Sequence, residues 1–176
     1  MEIMTEEQVV LVNERDEELG TMGKLEAHQK GALHRAFSVF LFDREGRLLL
    51  QRRAHGKYHS AGLWTNTCCS HPRLGESLEA AAQRRLREEM GIEGRLAHRF
   101  SFIYKAGFDN GLQEHELDHV FFGRHDGEPH PDPEEVAEWK RVPVQELDAE
   151  MKAHPERFTV WLRDCWPRIL QEIERG

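Results

Sequence analysis

Cysteine is scarce in this chain, with only Cys68, Cys69 and Cys165 among 176 residues. An odd count with two members adjacent makes a poor disulfide framework, so the reducing environment of the cytoplasm is the expected location. No apolar run approaches the ~20 residues that a membrane span needs. The stretch from Met1 to Glu7 has no basic region followed by an apolar one, and no secretory signal is read there. Repeats, low-complexity tracts and linkers are missing too, so one domain over residues 1–176 is expected. Positive charge is in deficit: the formal net charge is -8. That balance argues against nucleic acid and anionic membrane as partners, because their phosphates would be repelled. It leaves room for a local basic pocket that takes a small anion.

What is present is the composition of a soluble globular protein, 39% apolar and 32% charged, in a chain long enough to bury a core. Val9–Val12 reads as a strand, with Gly20 and Gly23 marking turns after it. Ala36–Phe42 and Leu48–Gln51 read as a hairpin joined by the turn residues Asp43-Arg44-Glu45-Gly46. A loop rich in Gly and His follows, from Ala54 to about Gly75. Ser77 can cap a helix that runs to Met90 and stops at Gly91, with Leu78, Ala81, Ala82, Leu86 and Met90 on its apolar face. Phe100–Tyr104, Glu116–Phe122 and Val136–Val142 are candidate strands. Val144–His154 and Thr159–Arg175 are candidate helices, the second disturbed at Pro167. The fold class is α/β (α+β).

Residues 70–92 read S-H-P-R-L-G-E-S-L-E-A-A-A-Q-R-R-L-R-E-E-M-G-I. A loop leading into a helix that carries carboxylates can hold Mg²⁺, and the ion can grip a diphosphate. The alternative is an ordinary surface helix with i,i+4 pairs Arg84–Glu88 and Arg85–Glu89. The segment resembles the Nudix box, with Glu76, Arg84, Leu86, Glu88, Glu89, Gly91 and Ile92 in register. It departs at Ser70, where the box has Gly, and at Arg85, where it has Glu. A cation at that spot favours holding a phosphate over cutting it. Three further segments narrow the resemblance: His34 to Phe42, Trp64 to Pro72 and Glu114-His115-Glu116. Together they resemble the type I isopentenyl diphosphate isomerases, from about Leu11 to Trp161. That family implies a mixed β-sheet sandwiched between helices and a small diphosphate as substrate, in a monomer or homodimer.

The resemblance implies that His28, His34, His71, Glu114 and Glu116 surround one divalent metal. Strand alternation supports part of this, since Glu114 and Glu116 would share a face while His115 takes the other. Neighbouring carboxylates repel unless a cation or proton lies between them. Three imidazoles and two carboxylates suit Mn²⁺ or Zn²⁺ better than Mg²⁺. The other eight histidines, at 55, 59, 98, 115, 119, 125, 130 and 154, are expected to be exposed.

The resemblance further implies Cys69 as one proton-transfer partner and Glu116, with Tyr104 beside it, as the other. A thiolate can act as the base if nearby cations or a metal lower its pKa. Trp161 would face a carbocation with its π face. Lys24, Arg53, Lys57 and Arg85 would contact the diphosphate, with Mg²⁺ bridging from Glu89 and the backbone carbonyl of Cys69. Two other readings compete. A Nudix hydrolase is weakened by Arg85 and gains nothing from Cys69; a non-catalytic diphosphate-binding module leaves the cysteine and the carboxylate unexplained.

Overall fold

The computed structural model describes residues 7–57 and 59–176. In chain order the elements are β1 (Gln8–Val12), β2 (Glu18–Gly23), α1 (Lys24–Lys30), β3 (His34–Phe42), β4 (Arg47–Arg53), β5 (Trp64–Thr65), β6 (Cys68–Ser70), α2 (Leu78–Met90), β7 (Leu96–Gly107), β8 (Gln113–Arg124), β9 (Val136–Pro143), α3 (Val144–Ala153) and α4 (Val160–Arg175). All nine strands join one mixed sheet. Its centre is β3, which runs parallel to β8 and antiparallel to β1, β4 and β6.

A central strand covered on both faces needs apolar residues at nearly every position, and β3 has them. Phe37, Val39 and Leu41, with Leu49 of β4, pack against Ala81, Ala82, Leu86 and Met90 of α2. Phe40, Leu48, Leu50 and Val120 face the other way, onto Leu147 of α3 and Leu162, Trp166 and Ile169 of α4. The sheet is therefore sandwiched between helices. Complete burial of a Leu or Phe side chain is worth ~1.5–3 kcal/mol, which makes these two alternating sets the main source of cohesion.

The ends of α2 are set by sequence. Ser77 Oγ accepts from Ala80 N at 3.2 Å, and Gly91 closes the helix at φ 65°. A Cβ at Gly91 would lie 2.7 Å from His130 O, so contact as well as φ selects glycine there.

Several expectations are corrected. Gly20 and Gly23 do not make turns: both lie in β2, opposite Leu11 and Gln8. The turn comes earlier, where Asn13 Oδ1 accepts from Arg15 N and Glu17 N. Helix α1 was not anticipated; seven mostly polar residues give too little apolar period to read. The loop after Ala54 contains β5 and β6, pinned to β4 and β3. Strands β7 and β8 outrun their apolar centres because they pair with each other over nearly their full lengths. Helix α4 passes through Pro167 without a break. Arg163, whose carbonyl loses its partner there, is exposed, so water can serve it.

Candidate active site

Strand β8 supplies the carboxylates. Glu114 and Glu116 are 4% and 7% exposed on one face, while the His115 ring turns to Gly31 O at 3.2 Å. In the parallel ladder His34 sits beside Glu116, with its Nε2 3.7 Å from Glu116 Oε1. His71, just past β6, brings Nε2 to 3.4 Å from the same oxygen. The short helix α1 adds His28, whose ring lies 5.4 Å from that of His34 and 6.2 Å from that of His71.

The outward nitrogens of two rings are already committed. His28 Nδ1 donates to Lys24 O at 2.6 Å, and His34 Nδ1 donates to Ala32 O at 2.9 Å. A neutral ring so arranged turns a bare Nε2 lone pair inward, where it meets carboxylate oxygen. His34 Nε2 is buried without a hydrogen-bond partner among the described residues. Lone pairs facing lone pairs are reconciled by a cation. His28, His34 and Glu116 place ligand atoms within 4.8 Å of one another, as do His28, His59 and Glu114, so the donor set fits a divalent ion.

Without an ion, protons balance part of the charge in this cluster. Burial pushes the carboxyl of Glu114 up, and the charge of Glu116 adds to the shift. Burial acts in the same sense on Glu116, but His34, Glu114 and His28 outweigh it and hold that carboxylate below its ordinary value. Burial and the neighbouring His34 and Lys24 push His71 well down, so its ring is neutral. His34 is also opposed by burial, yet Glu116 raises it.

The expected cations line the same pocket as the cluster: Lys24 from α1, Arg53 from the end of β4, Lys57 from the loop after it, and Arg85 from α2. Arg53 stacks over the ring of Trp161 at 5.1 Å, and Trp161 is 5% exposed at the pocket wall. Lys57 is held by Glu135, and Arg85 by Glu88 at 2.9 Å and Glu89 at 3.3 Å. Arg84 also meets Glu88 at 3.2 Å, so both i,i+4 pairs of the surface-helix reading are formed, and Arg85 still reaches the pocket. Arg84 braces the loop before the helix through two bonds to Glu76.

Adjacent cysteines part company, as alternation requires. Cys68 opposes Val39 and is fully buried, while Cys69 opposes Ser38 and opens on the pocket. Asn66 Nδ2 donates to the carbonyls of Val39 and Cys68, which turns its Oδ1 to receive the Cys69 S–H at 3.1 Å. Burial, with the charge of Asp118 adding to it, pushes the Cys69 thiol up rather than down. Cys69 therefore rests as a thiol, and the cations of the pocket do not reverse this. Tyr104 is the ladder partner of Glu116, buried, its hydroxyl without a hydrogen-bond partner among the described residues. Glu89 is buried away from the pocket wall against Gln51 and Cys68.

Two residues in the pocket were missed. His59, expected to be exposed, is 9% exposed with Nε2 2.8 Å from Glu114 Oε1. His119 is equally buried, but it faces Asp16 and His98, not this pocket. Asp118 lines the pocket and takes a hydrogen bond from Ser38 Oγ at 2.8 Å. The alternation that paired Glu114 with Glu116 extends by one more step to Asp118, so that signal was available. His59 lies in a loop and carried none.

The model of the NUDIX domain matches residues 32–162. An isopentenyl-diphosphate Delta-isomerase 2 from Aromatoleum aromaticum is 55% identical, over 94% of this chain and 87% of that protein. An isopentenyl-diphosphate Delta-isomerase from Serratia proteamaculans is 53% identical, over 89% of this chain and 87% of its own length. Among solved structures, a MutT protein from Methanosarcina mazei superposes with a TM-score of 0.64 at 19% identity, over 80% of this chain and 94% of that one. A Nudix hydrolase from M. smegmatis does so with a TM-score of 0.58 at 18% identity, over 94% of each chain. Those two likenesses concern the fold alone.

Proposed function

This chain belongs to the NUDIX family and, within it, to the isopentenyl-diphosphate Delta-isomerases, and on that premise we propose how its pocket works. It is an isomerase of isoprenoid biosynthesis that interconverts isopentenyl diphosphate and dimethylallyl diphosphate. The chemistry adds a proton at one end of an allylic unit and removes another elsewhere. An alkene is a very weak base, so the site needs a strong acid, a base and a shelter for the cation between them. Cys69 and Glu116 are the two proton-transfer partners, exchanging roles between the forward and reverse directions. The observation that carries this reading is that Cys69, Glu116 and Trp161 line one pocket together with Lys24, Arg53, Lys57 and Arg85.

Each residue has a distinct task. The four cations receive the diphosphate and orient the hydrocarbon inward. Burial and the charge of Asp118 keep Cys69 a thiol, and Asn66 Oδ1 orients its S–H. Tyr104, kept as a neutral phenol by burial and by the charges of Glu114 and Glu116, stands beside Glu116 to hand on or receive a proton. Trp161 would present its ring to the carbocation as it does to Arg53 above it, an interaction worth ~0.5–2 kcal/mol. His28, His34, His71, Glu114 and Glu116 would hold Mn²⁺ or Zn²⁺, while Mg²⁺ held by Glu89 and the Cys69 carbonyl would need Glu89 to turn from Gln51 and Cys68. The first ion would neutralise the paired carboxylates and strengthen Glu116 as an acid, and the second would add positive charge for the diphosphate. No helix among the described residues is long and apolar enough to cross a membrane. A cytoplasmic monomer or homodimer that binds neither membrane nor nucleic acid completes the reading.

Exchange of solvent deuterium into isopentenyl diphosphate in D₂O tests it. Metal-loaded protein should exchange and isomerise, and protein stripped by excess chelator should do neither. Full turnover by the stripped protein, or phosphate release from nucleotides in place of exchange, would overturn it.

A further inference from the structure

His59 has no task in the scheme above, yet it is built into the same cluster. We propose that His59 is a fourth imidazole ligand of the divalent ion held by His28, His34, His71, Glu114 and Glu116, an inference that rests on that reading of the cluster.

The local backbone delivers it. After Arg53 the chain makes a tight return in which Ser60 has φ 53° and Gly62 φ 74°, and Arg53 NH2 donates to His59 O at 3.3 Å. The imidazole is then clamped. It stacks on Phe108 with centroids 4.6 Å apart and planes 9° off parallel, and it meets Trp161 edge-on at 6.0 Å. A ring held on two sides has little rotamer freedom left to lose on ligation.

Its polar atoms repeat the arrangement of the other ligand histidines. Nδ1 has an outward partner, Ser60 Oγ at 3.3 Å, as the Nδ1 atoms of His28 and His34 have backbone carbonyls. Nε2 points inward to Glu114 Oε1. His59, His28 and Glu114 place ligand atoms within 4.8 Å of one another, as tightly as His28, His34 and Glu116 do, and the two groups share His28. Each buried carboxylate thus has two imidazoles near it, with His28 common to both.

The consequence is a donor set of four imidazoles and two carboxylates, all from the protein. Such a set moves preference further from Mg²⁺, which favours oxygen, and it crowds Zn²⁺, whose closed sites usually take four donors. With six protein donors the ion would have less need of a water, and Glu116 would remain an acidic group beside it.

The test compares the whole chain with His59→Phe, which keeps the stack on Phe108 but has no donor nitrogen, and with His59→Gln, which can still donate to Glu114. Circular dichroism and melting of the metal-free proteins establish folding. Mn²⁺ affinity, the visible spectrum of the Co²⁺ form, and water proton relaxation of the Mn²⁺ form are then measured. Wild type should bind one ion at this cluster. His59→Phe should bind it more weakly by at least the ~10–100-fold that loss of a ligand's hydrogen-bond partner costs. Its Co²⁺ spectrum should change, and a fast-exchanging water should appear on Mn²⁺. An unchanged spectrum and relaxation in a folded variant, or restoration of both by His59→Gln, would overturn the inference and make His59 a hydrogen-bond donor to Glu114. If wild type binds no ion at all, the reading of the cluster fails first.

Discussion

The thiol of Cys68 donates to the buried Oε2 of Glu89 at 3.2 Å. That bond ties one of two adjacent cysteines to the box helix and leaves the other to the pocket. Cys69→Ala should abolish isomerisation while retaining fold and metal content. Cys68→Ala should leave Glu89 short of a partner, at ~1–3 kcal/mol of stability. Its activity should stay within about tenfold, a ~1.4 kcal/mol barrier change. Steady-state kinetics and chemical denaturation of the two variants check this; a dead Cys68→Ala beside an active Cys69→Ala would reverse the assignment.

Glu114 and Glu116 share a strand face but not a task. In the proposed scheme Glu116→Gln removes a proton donor as well as a ligand, so with excess Mn²⁺ it should stay slower than Glu114→Gln by the ~10²–10⁴-fold that general acid catalysis contributes. Equal recovery of both variants would make Glu116 a ligand only.

Arg85 sits among Glu88, Glu89 and Glu135. Arg85→Glu replaces the cation that balances them with a further carboxylate. Diphosphate binding should weaken, seen as a higher KM, with no useful pyrophosphatase activity gained, because placing a water takes more than one carboxylate. Efficient pyrophosphate cleavage would show that the Arg alone blocks hydrolysis.

Asp43 governs the hairpin between β3 and β4. Burial opposes its ionisation, but the N–H groups of Arg47 and Glu45 and the Arg47 guanidinium outweigh that and hold its pKa below the ordinary value. A folded pKa below the unfolded ~3.9 stabilises the protein above that pH, and the contribution fades as pH falls through the folded value. Asp43→Asn should therefore be less stable than wild type at pH 7, with the gap narrowing by pH 2–3 in urea titrations. A gap that stays constant with pH would assign the difference to shape and not charge.

The local periods were sufficient for much of this molecule. Ser77 and Gly91 bounded α2, Asp43 to Gly46 marked the hairpin, and alternation put Glu114 with Glu116 and set Cys69 apart from Cys68. Each of these depends on residues within a few positions of one another, where backbone geometry alone decides which side chains share a face. The remaining proposed ligands, His28, His34 and His71, were suggested by a family's motifs and not by any spacing of their own.

Tertiary packing decided the rest. Helix α1, too short and polar to announce itself, is what buries His28 beside β8. His59 was read as a solvent residue because nothing within its loop distinguishes it; Phe108 and Trp161, far along the chain, remove it from water and aim it at Glu114. The protonation of Cys69 belongs here too, since burial and Asp118 set it, and both arise only when β6 and β8 lie either side of β3. A sequence determines which faces its segments present, but burial and charge at a given atom are sums over neighbours that only the folded chain brings together.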